Sequence, residues 1–105
     1  MVSIRPHNTS LQPTKILLAD DDSLVRDAVV KILELFGHQV IAVDDGRAAL
    51  SLVNDDIDTI ILDINMPGMN GFETIKALNE KKSDIPVLFL TGAGTLDVQI
   101  KAIKL

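Results

Sequence analysis

Four short apolar runs, each followed by a longer stretch with apolar residues at helical spacing, constrain this chain more than any other feature. They are Ile16-Leu17-Leu18-Ala19, Val40-Ile41-Ala42-Val43, Thr59-Ile60-Ile61-Leu62 and Val87-Leu88-Phe89-Leu90. A strand with one wet face alternates apolar and polar residues, whereas a continuous apolar run suits a strand buried on both faces. The intervening stretches place Leu24, Val25, Ala28, Val29, Ile32, Leu33 and Phe36, then Ala48, Ala49, Leu52 and Val53, then Phe72, Ile75, Ala77 and Leu78, on helical faces. A last segment with Leu96, Ile100, Ile103 and Leu105 reads as an amphipathic helix running to the C-terminus. The alternation βαβαβαβα predicts an α/β fold, a doubly wound parallel sheet with helices on both faces. It occupies residues 15–105 as one domain, after a leader at 1–14 that mixes Pro6, Asn8, Thr9, Ser10 and Pro13 without a period.

The punctuation agrees with this division. Asp22 or Ser23 can cap the first helix and Gly37 suits its end. Pro67-Gly68 and Asn70-Gly71 mark a turn-rich loop after the third strand. Of 15 acidic residues 12 are Asp, a residue of caps, turns and metal sites rather than of element interiors. With 10 basic residues the formal net charge is −5, which argues against unaided nucleic-acid binding because phosphate neutralisation needs a basic patch. Zero cysteines exclude a disulfide framework, a thiolate metal site and a thiol nucleophile. No apolar run reaches the length of a membrane span and no signal-peptide core opens the chain, so the expected location is the cytoplasm.

In an open parallel sheet, ligands bind at the carboxyl ends of the strands, at the point where strand order reverses. Asp20 and Asp21 follow the first run, Asp63 the third and Thr91 the fourth. If the first strand lies beside the third, as crossover rules favour, these side chains converge on one crevice. Asp22 serves as a helix cap, but three acids directly after a buried strand exceed what a cap requires. Carboxylates this close repel unless a cation intervenes, and hard oxygen donors suit Mg²⁺, which completes its shell with water and phosphate oxygens. A carboxylate can also be a nucleophile toward phosphorus. Asp63, alone at a strand end before a glycine-containing loop, is best placed for that, with Asp20 and Asp21 holding the metal and the Thr91 hydroxyl donating to a phosphoryl oxygen. Gly92-Ala93-Gly94 lacks the third glycine of a dinucleotide fingerprint and follows the wrong strand. Met66 and Met69 read as loop packing, and Arg26 and Arg47 as surface charges on helices.

Three segments together carry a resemblance: Ile-Leu-Leu-Ala-Asp-Asp-Asp-Ser-Leu-Val-Arg at 16–26, Asp-Ile-Asn-Met-Pro-Gly-Met-Asn-Gly at 63–71 and Pro-Val-Leu-Phe-Leu-Thr-Gly at 86–92. In this order and spacing they resemble the receiver domain of bacterial two-component response regulators, over residues 15–105. The resemblance implies a flavodoxin-like sheet of order 2-1-3-4. It implies that Asp63 is the phosphoacceptor, that Asp20, Asp21, Asp63 and the backbone carbonyl of Asn65 hold Mg²⁺, and that Thr91 is the switch hydroxyl. Gly92 matches a position kept small for the approaching donor, and Asn65 and Ala93 fall where family members tune the lifetime of the acyl phosphate. The implied partner is a sensor histidine kinase or a histidine phosphotransfer protein. The implied role is that of a signalling phosphoacceptor, not an enzyme beyond promoting its own phosphorylation and dephosphorylation.

One departure from the family pattern bears on this role. Receivers carry a lysine on a fifth strand followed by a fifth helix, and the sequence ends at Leu105 before any such βα unit. Lys101 and Lys104 fall in the last helical segment and match neither its position nor its context. The alternative reading is therefore a receiver-like interaction module that does not switch by phosphorylation. An aspartate-nucleophile phosphohydrolase is disfavoured because Asn65 stands where such enzymes carry a second Asp. Without a fifth βα unit, the edge of strand 87–90 and a face of the first helix are expected to be open, which predicts self-association, as a dimer, through those surfaces.

Overall fold

The computed structural model describes residues 14–92 and 98–103. Strand β1 (Lys15–Ala19) leads to helix α1 (Ser23–Leu35), β2 (Gln39–Val43), α2 (Gly46–Leu52), β3 (Thr59–Asp63), α3 (Gly71–Glu80), β4 (Val87–Gly92) and β5 (Val98–Ile103). Local chemistry sets these limits. The Asp22 carboxylate accepts the Leu24 and Val25 backbone N–H groups at 2.9 and 3.3 Å, satisfying donors that the first turn of α1 leaves free. Gly37, at φ +89°, ends the same helix by donating to the Glu34 carbonyl at 3.0 Å, a left-handed conformation that costs glycine little. Asn70 and Glu73 cap α3 reciprocally, each side chain accepting the other's backbone N–H.

The strands assemble in the order β2-β1-β3-β4-β5, the first four parallel. The order 2-1-3-4 agrees with expectation, and β1 lies beside β3 with Ala19 opposite Leu62. The apolar runs of β1, β3 and β4 are buried against both helical layers, whereas β2, at the edge of the sheet, is only partly buried and leaves Ala42 exposed. Leu17, Ala19, Ile60, Leu62 and Phe89 pack on one side with Ala49 of α2 and with Ile75 and Leu78 of α3. Ile16, Leu18, Ile61 and Leu90 face the other side, against Val29, Val30 and Leu33 of α1.

The chain's last segment corrects the sequence reading. Residues 98–103 form a strand rather than a helix, antiparallel to β4 with Gly92 opposite Val98 and Val87 opposite Ile103. Leu96, Ile100 and Ile103 have helical spacing, but Val98, Ile100 and Ala102 also alternate with Gln99 and Lys101, and three of the six residues are β-branched. The outer edge of β4 offers an unpaired row of backbone groups, and pairing with it decides between the two patterns. Lys101 therefore sits in β5 opposite Phe89. The edge of 87–90 is occupied by β5 and is not the open pairing surface that the sequence suggested. Lys104, Ala93 and residues 1–13 of the leader at 1–14 lie outside the described residues. On α1 and at its C-cap, Leu24 is 81% exposed, Leu35 84% and Phe36 77%.

Candidate functional site

The strand register brings the acids together. Ala19 is opposite Leu62, so Asp20, one step on, is level with Asp63, and Asp63 is in turn opposite Leu90 of β4. Three adjacent parallel strands thus end at one height, at the switch point where the chain leaves β1 outward to β2 and returns to β3. Carboxylate oxygens of Asp20, Asp21 and Asp63 all lie within 4.8 Å of one another. Asp20 is buried, Asp63 partly buried and Asp21 exposed, so the cluster opens to solvent on one side. The backbone of Thr91 lies one residue beyond the level of Asp63 on β4, followed by Gly92.

Backbone bonds fix the two inner acids. Asp20 donates its N–H to the Val43 carbonyl at 3.1 Å, tying the β1 end to β2, and accepts the Asp22 N–H on Oδ1 at 2.9 Å. Asp63 Oδ1 accepts the Asn65 N–H at 3.3 Å, which bends the β3–α3 loop back over the strand end. That loop closes when Gly71 donates to the Ile64 carbonyl at 2.9 Å. Gly71 is required there, because a Cβ would stand 2.7 Å from the Asp63 carbonyl oxygen and 2.9 Å from Phe89 Cε1.

The electrostatics of the cluster follow from crowding and burial. Burial is the main cause that pushes the Asp63 carboxyl from 3.8 up to about 6, the negative charge of Asp20 is the second, and the Asn65 N–H bond opposes both. Asp20 is raised as well, again chiefly by burial, with the Asp22 N–H bond pulling the other way and Asp21 and Asp22 adding repulsion. Such a set of hard, mutually repelling donors fits a small divalent cation. Oxygens on one octahedral Mg²⁺ lie up to about 4.2 Å apart, so a small side-chain adjustment brings all three within reach.

One contributor escaped the sequence reading. Arg26, taken there as a surface charge, is partly buried and its Nη1 donates to the Asp20 backbone carbonyl at 2.8 Å. It clamps the loop carrying the acidic pair from one turn into α1. Its only sequence signal is a cation six residues after Asp20, which helical periodicity alone does not distinguish from a solvated charge. Met66, read as loop packing, is buried in the core from the β3–α3 loop.

The family model of the response regulator receiver domain matches residues 16–105. The transcriptional regulatory protein CpxR of Escherichia coli K12 is 43% identical over 81 residues, covering 77% of this chain and 34% of its own length. YrkP, a transcriptional regulatory protein of Bacillus subtilis, is 44% identical over 84 residues, 79% of this chain and 36% of its own length. The chain thus spans about a third of these relatives. Among solved structures, the chemotaxis protein CheY4 of Vibrio cholerae superposes with a TM-score of 0.70 at 34% identity, covering 79% of this chain and 74% of that one. TrrA of Thermotoga maritima, solved in complex with Mg²⁺ and BeF, gives 0.65 at 31% identity, covering 70% of this chain and 65% of that one. By the family match, by its relatives and by the strand order that carries its acidic cluster, the chain belongs to the response regulator receiver domains of two-component signalling.

Proposed function

We propose that residues 15–105 act as a phosphoacceptor in a two-component relay, receiving a phosphoryl group on Asp63. The observation that carries this reading is the convergence of the Asp20, Asp21 and Asp63 carboxylates within 4.8 Å at the switch point of the sheet. An oxygen of the Asp63 carboxylate attacks the phosphorus of a phosphohistidine on a sensor kinase or phosphotransfer protein. The P–N bond breaks, the imidazole nitrogen leaves with the electron pair, and an acyl phosphate remains on Asp63. Attack requires Asp63 ionised, and the raised pKa of this carboxyl is opposed by any cation held beside it. Mg²⁺ held by Asp20, Asp21, Asp63 and the Asn65 carbonyl would supply that counter-charge and would withdraw charge from the phosphoryl group. The Thr91 hydroxyl is the group that turns toward the phosphoryl oxygens, and Gly92 leaves room for the donor. The domain promotes transfer to itself and its later hydrolysis but acts on no separate substrate. It works in the cytoplasm, and the exposed face of α1 is a surface for self-association.

The test is phosphorylation by a small-molecule donor in the presence of Mg²⁺, read by intact-mass spectrometry. One added phosphoryl group is expected, lost in Asp63→Asn and lost when the metal is chelated. No mass gain at any donor concentration, or an equal gain in Asp63→Asn, would refute the assignment.

A further inference from the structure

We infer that Asn70 is a site of spontaneous modification to aspartate and isoaspartate, and that the closed β3–α3 loop gates the reaction. Of the chain's five asparagines, only Asn70 is followed by glycine. Asn54, Asn65 and Asn79 precede Asp55, Met66 and Glu80, whose side chains crowd the main-chain nitrogen. At Asn70 the Gly71 nitrogen, once its proton passes to solvent, attacks the side-chain Cγ. The new N–C bond closes a succinimide ring, and the amide nitrogen leaves as ammonia, taking the electron pair of its broken bond and a proton from water. One water then opens the ring. At the side-chain carbonyl it gives aspartate, and at the main-chain carbonyl isoaspartate.

The folded loop withholds each part of this step. Asn70 has an extended ψ of 177°, and ring closure needs that bond turned until the Gly71 nitrogen eclipses the Asn70 Cβ. The peptide unit between the two residues is held on both sides. Its N–H donates to the Ile64 carbonyl at 2.9 Å, and its carbonyl accepts the Thr74 N–H at 2.9 Å and the Thr74 hydroxyl at 2.8 Å. Gly71 and Thr74 are both buried. The Asn70 side chain is held too, its Oδ1 accepting the Glu73 N–H at 2.9 Å while Glu73 Oε1 accepts the Asn70 N–H at 3.1 Å. Because α3 begins at Gly71, turning the Asn70 bond requires the first turn of the helix to come away from Ile64. The reaction therefore proceeds from molecules whose loop is open, and its rate follows their population.

The two products leave different chains behind. Aspartate keeps the main chain and caps a helix as well as asparagine does. Isoaspartate routes the main chain through the side chain, which lengthens it by one methylene directly before Gly71. That residue has little room to shift, since even a Cβ on it would stand 2.7 Å from the Asp63 carbonyl oxygen. The isoaspartate branch therefore displaces the strand end that carries Asp63, whatever that side chain binds.

The whole chain, incubated at neutral pH in buffer and in guanidinium chloride, is followed by the mass gain at each asparagine and by isoaspartate-specific methylation. In the unfolded chain Asn70 is expected to react first, and folding is expected to slow it at least about tenfold. Glu73→Ala removes one hold from an exposed position, and should speed the folded reaction about fivefold and the unfolded reaction not at all. Asp22→Ala deletes a cap of the same kind from α1, on the other face of the sheet, and should leave the rate unchanged. Equal rates in the folded and unfolded chains, no change in Glu73→Ala, or the same acceleration in Asp22→Ala would each overturn the gate. An unfolded chain in which another asparagine leads would overturn the site. Isoaspartate chains, separated by chromatography, should unfold at a lower denaturant concentration than the parent, and Asn70→Asp at the same one. Equal midpoints for all three would overturn the link to the strand end.

Discussion

A carboxyl group whose pKa rises on folding binds its proton more tightly in the native state than in the unfolded chain. For Asp63 this holds between 3.8 and about 6, so stability contributed below that window is lost as the pH rises through it. Metal-free protein is therefore expected to melt at progressively lower temperature as the pH goes from 4 to 7, as followed by circular dichroism. Asp63→Asn, which never ionises, should flatten the profile. Arg26 acts at the same scale, through a single bond to the Asp20 carbonyl. Arg26→Ala frees that carbonyl and the loop bearing the acidic pair, and is expected to weaken Mg²⁺ binding about tenfold in a calorimetric titration, with little change in secondary structure. The sequence disclosed Asp63 because its neighbours are distinctive. It concealed Arg26, because the bond depends on the path of a loop and not on a pattern.

At the scale of elements, the loop from β3 to α3 shows how closely backbone and site are joined. Gly71 begins α3 and lies against the Asp63 carbonyl oxygen and Phe89, so Gly71→Ala forces either the helix or the strand end to move. A loss of about 1–3 kcal/mol in denaturant unfolding is expected, together with weaker Mg²⁺ binding, because the displaced strand end carries Asp63. Asn70→Ala, which removes one half of the capping box, should cost about 1 kcal/mol while leaving the metal midpoint unchanged. The four parallel strands were legible from their short apolar runs, which bury on two faces in β1, β3 and β4 and only in part in the edge strand β2, and the caps at Asp22 and Gly37 were legible from residue type. The last segment was not. Its spacing satisfies a helix and a strand alike, and the deciding fact is the free edge of β4, which belongs to the tertiary structure. Nor did periodicity disclose how the apolar arc of α1 divides between the sheet and solvent, since every residue of that arc scores alike on a helical face.

For the molecule as a whole, the acidic cluster is the point at which two halves of the sheet meet with like charge. Asp20 ends the strand that leads outward to β2, and Asp63 ends the strand that leads to β4 and β5. Apposed carboxylates strain that junction, whereas a cation shared between them ties β1 to β3 across it. Binding to the native state alone raises unfolding free energy by RT ln(1 + [L]/Kd), so Mg²⁺ at a hundred times its dissociation constant should add about 2.7 kcal/mol. The expected result at pH 7.5 is a rise in melting temperature of several degrees that saturates with Mg²⁺. The rise should be lost in Asp20→Asn and kept in Asp44→Asn, an acid at the end of β2 that is outside the cluster. The same removal of repulsion makes a second reading of the site possible. In the absence of metal, Asp20→Asn should itself stabilise the protein near neutral pH, because it deletes one of the charges that burial and proximity make unfavourable. A variant more stable than the parent without Mg²⁺, and less stable than the parent with it, is the signature of residues placed for binding at the expense of the fold.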